Sequence, residues 1–495
     1  MNIYRLFAAL LAIVGAAIPS TAADLAPLRV DGPNIVANGR PICLRGLNWG
    51  WWHLSGTRYT EDDMKRQAQW GANVARLAFS YRDVEAAGQP GVWNEAGFAK
   101  IDQVVQWGAR YGVYVILDMH ETPGGQNGAL YDDGGGNRLW SDAACQKRFI
   151  ALWQEIARRY RNHPEVAAYE LLNEPDTIEP TAARLTELSS RTIDAIRLVD
   201  PNKIVVVCGD KKSGPLMLND AMYISKPNLL YTMHFYDGGG DRWLHNLTNG
   251  PGISGTQNWT LLTHTFTAPH DATGLHIMFR SADNKGVAWF DDVRLTDASG
   301  HILAADGFDT GSGSFQAEHG PRSPMTYDRT VGHDRPGSLR VSGTTSYNGW
   351  AGPKITIQPG ASYTLSVWVK LEGATGDTYL TAAFIGDYVV PKEQLRPLLQ
   401  PSIDFSRKHN VPVWVGEFGC EACTLDNGQV NWVSDCIALF DEAKLNWTYW
   451  NYRETTNPNS MALQAEHKDG SDFPLNEPLL AVLRNGWALN AAKPR

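Results

Sequence analysis

Beyond its first two dozen residues the chain has no apolar run approaching the ~20 residues that a membrane-crossing helix needs. It has no basic stripe either. Lys and Arg number 44 against 53 Asp and Glu, the formal charge is -9, and both signs are spread along the chain, which argues against a nucleic-acid partner. No second ligand pair accompanies Cys420-Glu-Ala-Cys423, so no four-ligand zinc site is encoded there. No glycine-rich phosphate loop precedes a helix, because Gly134-Gly135-Gly136 sits in a long polar loop. These absences exclude membrane transport, nucleic-acid binding and nucleotide-dependent chemistry as leading functions.

What is present is enough apolar residue (43%) to bury a large core, and 18 tryptophans, whose rings stack on sugar faces as readily as they fill cores. A chain of 495 residues is too long for one ordinary domain and suits a barrel of about 250 residues plus a second unit. The N-terminus has the form of an export signal. Arg5 supplies the charge, Leu6 to Ile18 the short apolar run, and Thr21-Ala22-Ala23 the small residues before Asp24. Residues 1–23 are therefore expected to be removed, leaving a secreted or periplasmic protein with no membrane attachment. In that setting disulfides are permitted; one local bridge among Cys420, Cys423 and Cys436 is expected, and Cys43 and Cys208 read as thiols within strands.

Leu28–Leu44 carries turn residues between short apolar runs, like a hairpin closing a barrel floor. Strand-like runs follow at Ile42–Asn48, Ala72–Phe79, Val113–Met119, Ala167–Leu172, Lys203–Val207 and Leu229–Phe235, then at Pro412–Glu417 and Asn446–Asn451. Amphipathic stretches alternate with them, among others Asn94–Arg110, Ala143–Arg161, Thr181–Val199, Lys392–His409 and Gln429–Ala443. That alternation predicts an α/β fold, a (β/α)8 TIM barrel. Between the sixth strand and its helix the texture changes to Thr, Ser and Gly with short alternating runs: Trp259–Thr267, Leu275–Arg280, Val287–Leu295, Ser338–Val341, Tyr363–Leu371 and Tyr379–Ile385. An all-β sandwich inserted in the loop after strand 6 is the expectation. The domain reading is barrel 24–240, sandwich 241–388 and barrel again 389–495.

Two glutamates stand where barrel active sites form, at C-terminal strand ends: Glu174 after the fourth run and Glu417 at the end of the seventh. Two carboxyl groups are what glycosidic cleavage needs. In this respect the chain resembles glycoside hydrolase family 5, in the cellulase-like clan of retaining glycosidases. Leu172-Asn173-Glu174-Pro175 matches the family's acid/base motif, and Glu417 in Val415-Gly416-Glu417-Phe418 matches its nucleophile. Arg76, His120, His234, Tyr236 and Trp450 match supporting positions at the ends of strands two, three, six and eight. The resemblance covers roughly residues 28–240 and 390–490. It implies a protonated Glu174, an ionised Glu417 steadied by Arg76 and Tyr236, Asn173 on the sugar 2-hydroxyl, and Trp450 as stacking floor. His120 and His234 would touch substrate or tune the carboxyls. Neither metal nor organic cofactor is required. Asp118, Glu121 and Glu170 read as residues behind the site, and Trp49, Trp51, Trp52 and Trp140 as candidates to line a sugar cleft.

The insert resembles carbohydrate-binding β-sandwich modules of the xylanase-associated type, with its halves in reversed order. Trp259 to Leu295 looks like the second half, and Phe308 to Lys370 like the first, a circular permutation joined through 297–306. Trp289, Trp350 and Trp368 are its candidate sugar stackers; Asp291, Asp292 and Asp309 lack a complete calcium spacing. The expected partner is a β-glucan poly- or oligosaccharide. The loop Pro123-Gly124-Gly125-Gln126-Asn127-Gly128 resembles that of exo-acting β-1,3-glucanases, and endo-acting cellulase is the competing reading. The same residues would serve a β-mannanase or a transglycosylase. An inert sugar-binding barrel would be marked by loss of a carboxylate, and neither is lost. Oligomeric state is not encoded legibly.

Overall fold

The computed structural model describes residues 25–490 except 51–58, 128–135, 178–180, 237–246, 270–271, 282–284, 318–324, 343–347, 387–391, 421–426, 456–460, 467–471 and 473. The expected signal segment, Trp51, Trp52 and Cys423 lie outside the described residues.

Eight parallel strands close on one another: β1 (Arg45–Trp49), β2 (Val74–Ser80), β3 (Tyr114–Glu121), β4 (Val166–Glu170), β5 (Ile204–Cys208), β6 (Leu229–His234), β7 (Val413–Phe418) and β8 (Asn446–Tyr449). All of their residues are buried, the pattern of parallel strands covered on both faces. Alternate residues separate two cores. Ala75, Leu77, Val115, Leu117, Val205 and Val207 face the helices. Val74, Ile116, Ala168, Val206, Leu230 and Trp414 point inward and meet Leu28, Ile35 and Leu44 of the expected N-terminal floor. That floor is a three-stranded antiparallel sheet, Leu28–Asp31, Asn34–Ala37 and Arg40–Ile42. Two residues further along the strands, the inward positions become Arg76, Asp118 and Glu170. The interior is thus hydrocarbon at the floor and ionic at the C-terminal mouth. At Gly46 a Cβ would lie 1.7 Å from the Val74 carbonyl oxygen, so strand packing there demands glycine.

Regular helices cover the barrel at Glu61–Trp70, Glu95–Tyr111, Ala143–Tyr160, Thr181–Arg197, Lys392–His409, Asn427–Glu442 and Glu477–Ala488. Sequence chemistry sets their ends: Asp142 caps Ala143–Tyr160 by accepting from the Ala144 N–H, and Gly112 at φ 72° stops Glu95–Tyr111. The alternation fails once. Between β5 and β6 the described chain makes only short turns, because Lys211, Lys212 and Ser213 hold φ of 49, 58 and 58°, outside the right-handed helical region.

Residues 247–386 form the β-rich unit. Two expected strands prove to be one, Ser362–Gly386. Its first half pairs with Ile253–Thr267 and Val287–Asp297, its second half with Leu247–Asn249 and Ala272–Ser281. The long strand so passes from one layer to the other. Phe279 and Phe290 stack at 5.1 Å between the layers, among Leu262, Phe266, Leu365 and Val367. Both segments read as module halves share this core.

Cys420 is disulfide-bonded, whereas Cys436 is a buried free thiol and takes no part in the bridge. Cys43 precedes β1 instead of lying in it, because Arg40–Ile42 is committed to the floor sheet and the chain then turns into the barrel. Cys208, at the end of β5, is a buried free thiol as expected.

Candidate active site

Arg76 organises the mouth. Its guanidinium is fully buried and all five N–H groups are engaged. Nε and Nη2 donate to the two oxygens of Glu170 at 2.7 and 2.9 Å. Nη1 donates to Glu417 at 2.7 Å and to Asn48 at 2.9 Å, and Nη2 also reaches Asn173 Oδ1 at 2.9 Å. Asp118 lies 3.1 Å from Nη2. Burial opposes a charge on Arg76, but Asp118, Glu170 and Glu417 outweigh it and keep the group protonated.

One cation among three buried carboxyls leaves a surplus of negative charge. Desolvation pushes Asp118 up to about 7 against the pull of Arg76, and raises Glu170 in the same way. Asp118 meets His120 Nδ1 at 2.7 Å, and His120 Nε2 meets Asn173 Nδ2 at 3.1 Å. Because Asn173 Oδ1 is taken by Arg76, its Nδ2 must be the donor to His120, which fixes Nε2 as an acceptor. Burial lowers His120, consistent with a neutral ring.

Glu174 and Glu417 face each other across His234. Its Nδ1 is 2.8 Å from Glu174 Oε1 and 3.6 Å from Glu417 Oε2, and the three ligating atoms lie within 4.8 Å of one another. One oxygen of each carboxyl thus lies within 4.8 Å of the other, which agrees with the about 5–5.5 Å of a retaining pair. Desolvation raises the Glu174 carboxyl above its usual range, with His120, Lys212 and Arg76 acting in the opposite sense. Burial pushes His234 down to about 4, so it is neutral near pH 7. Tyr236 donates to Glu417 Oε2 at 2.9 Å; burial and then the Glu417 charge raise its phenol, which keeps the proton in place. Trp450 stacks on His120 with ring centroids 5.2 Å apart. The structure therefore gathers all eight expected positions at one end of the barrel. Asp118 and Glu170 stand behind them on Arg76; Glu121 is buried and only 3.9 Å from Arg82.

Two residues escaped the sequence reading. Asn48 accepts from Arg76 and donates to the Gly416 carbonyl at 3.0 Å; its inward register on β1, two beyond Gly46, was the available signal. Gln126 lies in the Pro123–Gly128 loop motif, but its bond to the Asn173 carbonyl, 47 residues away, is one that no local pattern reveals. Two cleft candidates are corrected. Trp49 is fully buried, stacks on Tyr59 at 4.6 Å and donates to Gln67, and buried Trp140 donates to the Gln126 carbonyl; both indoles are core.

In the β-rich unit, Trp350 is likewise core, donating to the Arg340 carbonyl. Trp289 is buried under Lys370 and bonded to Asp328. Trp368 is partly exposed and stacks at 3.9 Å on His333, whose ring also lies 5.8 Å from Trp259 and whose Nδ1 meets Asp292 at 2.9 Å. No joint calcium set forms from the three aspartates: Asp309 pairs with Arg335, while Asp291 accepts from the His333 N–H. Among the described residues, the ligand atoms of Asp292, His333 and Asp334 are the other group near enough to share an ion.

A family model described as cellulase, glycosyl hydrolase family 5, matches residues 35–273, and a carbohydrate binding domain model matches 300–384. Endoglucanase C of Acetivibrio thermocellus is 24% identical over 419 residues, covering 83% of this chain and 91% of that protein. A probable glucan 1,3-beta-glucosidase A of Aspergillus niger is 33% identical over 120 residues, 24% of this chain and 28% of that one. Among solved structures, the endoglucanase Cel5A of Thermotoga maritima is similar in fold, with TM-score 0.50 at 15% identity over 89% of this chain and 96% of that one.

Proposed function

The chain belongs to glycoside hydrolase family 5 and carries a carbohydrate-binding domain, and on that footing we propose that it cleaves β-linked glucan by double displacement. The observation that supports this most is the Glu174–His234–Glu417 cluster, with its oxygens within 4.8 Å and Arg76 on one carboxyl only. Glu417 attacks the anomeric carbon as Glu174 gives its proton to the leaving oxygen. A glycosyl ester on Glu417 results, and the leaving sugar departs as an alcohol. Glu174, now ionised, takes a proton from water as that water attacks the anomeric carbon and releases Glu417. Tyr236 and Arg76 hold Glu417 in line. Asn173 turns toward the sugar 2-hydroxyl, and Trp450 floors the subsite of the cleaved sugar.

Two observations bear on substrate. The relatives that span most of the chain are endoglucanases. The Pro123–Asn127 loop and the Aspergillus match favour instead a β-1,3-glucan cut from its end. The beginning of the chain favours export, and partly exposed Trp368 is the ring we assign to polysaccharide retention.

Product release from β-1,3-, β-1,4- and mixed-linkage glucans and mannan, beside Glu417→Ala, tests the reading. Glucan cleavage abolished by the substitution is expected, and product lengths decide between end and interior attack. Glu174→Ala should spare kcat/KM on aryl glycosides with very acidic leaving groups, while losing about 10²–10⁴-fold on others. Equal losses on both would overturn the assignment of the two glutamates.

A further inference from the structure

Glu174 sits at φ 44°, a left-handed backbone that a residue bearing a Cβ adopts only when its surroundings hold it there. The β-ladder does not supply that hold. The β3–β4 register ends at Asp118 opposite Glu170, and the next backbone bond, from the Leu171 N–H, goes to Val206 on β5. The carbonyls of His120 and Asn173 lie beyond the ladder. A single buried side chain occupies the gap. Gln126 Nε2 donates to the His120 carbonyl at 2.7 Å and to the Asn173 carbonyl at 2.9 Å. Its Oε1 accepts from the Thr122 N–H at 3.2 Å and the Thr122 hydroxyl at 2.9 Å. Both N–H groups and both lone pairs of the carboxamide are thus committed, in a residue 1% exposed. The Gln126 carbonyl also accepts from the Asp176 N–H at 2.9 Å, and from the far side the Lys212 N–H bonds the Pro175 carbonyl at 2.9 Å.

The Asn173 carbonyl belongs to the peptide plane immediately before Glu174, the plane against which φ of Glu174 is measured. Fixing that oxygen fixes the plane, and with Pro175 and Asp176 tied the Glu174 Cα–Cβ bond is held in direction, its carboxyl 2.8 Å from His234. We propose that Gln126 is a positioning residue for proton transfer: its carboxamide aims the Glu174 carboxyl at the leaving oxygen. The same two bonds set the spacing of His120 and Asn173, whose side chains meet at 3.1 Å. The inference rests on the glycosidase reading above.

Gln126→Met keeps the length and volume of the side chain and removes all four of its hydrogen bonds. A misaimed acid slows only leaving groups that need a proton. Against phenyl and 2,4-dinitrophenyl β-glucosides and β-cellobiosides, kcat/KM should fall about 10- to 100-fold for the phenyl and less than about threefold for the dinitrophenyl compounds. A purely structural role would lower both series together, and that result overturns the proposal, as does no loss in either. Thr122→Val, which removes one of the two donors to Oε1, covers the case in which the methionine variant does not fold; it should show the same selectivity, smaller in size, and an equal loss in both series overturns the proposal. Absence of wild-type turnover on all four compounds would sink the glycosidase reading and the proposal with it. Wild-type turnover with an unchanged phenyl-to-dinitrophenyl ratio in the variant would sink the proposal alone.

Discussion

Replacing Arg76 by methionine keeps much of the side chain's reach and removes its charge, leaving Asp118, Glu170 and Glu417 around an apolar chain. Those three carboxyls are at most 5% exposed. Removing one partner of a buried ion pair costs about 3–5 kcal/mol when the other group stays charged. The carboxyls have an alternative, which is to take up protons. Asp118 already stands at about 7 with Arg76 beside it and would be driven higher without it. A carboxyl whose folded pKa is raised contributes stability that is full at low pH and is lost as pH rises through the folded value. The variant's deficit should therefore be largest near pH 8 and shrink toward pH 5. At about 2–4 °C per kcal/mol, the barrel transition should fall by about 6–20 °C at pH 8 and by less than half of that at pH 5. Calorimetry of the full chain at both pH values, read against wild type at the same pH, measures it. A loss equal at the two pH values, or larger at pH 5, would refute the view that Arg76 works by neutralising buried carboxylates.

Tyr236→Phe deletes the O–H that reaches Glu417 at 2.9 Å, and a hydrogen bond to a charged group of about 1.5–3 kcal/mol predicts a loss of about 10- to 100-fold in kcat/KM with the fold intact. Since Glu174 must be protonated to act and burial raises its pKa, kcat/KM should persist above the usual carboxylate range and decline as pH rises through the Glu174 value. That decline should be full on phenyl glycosides and weak on 2,4-dinitrophenyl glycosides, which need no proton; an equal decline on both would move the titration to another group. Trp368→Ala should weaken retention on insoluble β-glucan by about three- to tenfold, leaving kcat/KM on aryl glycosides unchanged. Unaltered retention would remove Trp368 from the binding surface.

The barrel was legible because strands buried on both faces leave continuous apolar runs, such as Ile204 to Cys208, between amphipathic helices. Its site was legible for the complementary reason: Arg76 within β2, and His120 and Glu417 next to the ends of β3 and β7, break those runs where hydrocarbon would otherwise be expected. Other features depend on contacts that sequence does not order. Tyr363–Leu371 and Tyr379–Ile385 read as two strands, yet the pairing runs on through register shifts and makes one. Only short helical turns follow β5, and the three successive non-glycine residues with positive φ that break the chain there are invisible in composition. Trp49 and Trp140 had the right side chain beside the right strands, but which way an indole faces is settled by Gln67 and the Gln126 carbonyl.

The left-handed backbone at Glu174 has an evolutionary consequence. Glycine at that position would relieve strain of about 1–3 kcal/mol, so the inactive protein should be the sturdier one. Selection for persistence and selection for turnover thus pull this codon in opposite directions. A lineage that ceased to need the reaction would drift there early, toward glycine or asparagine. Stability alone would not place a glutamate at this position.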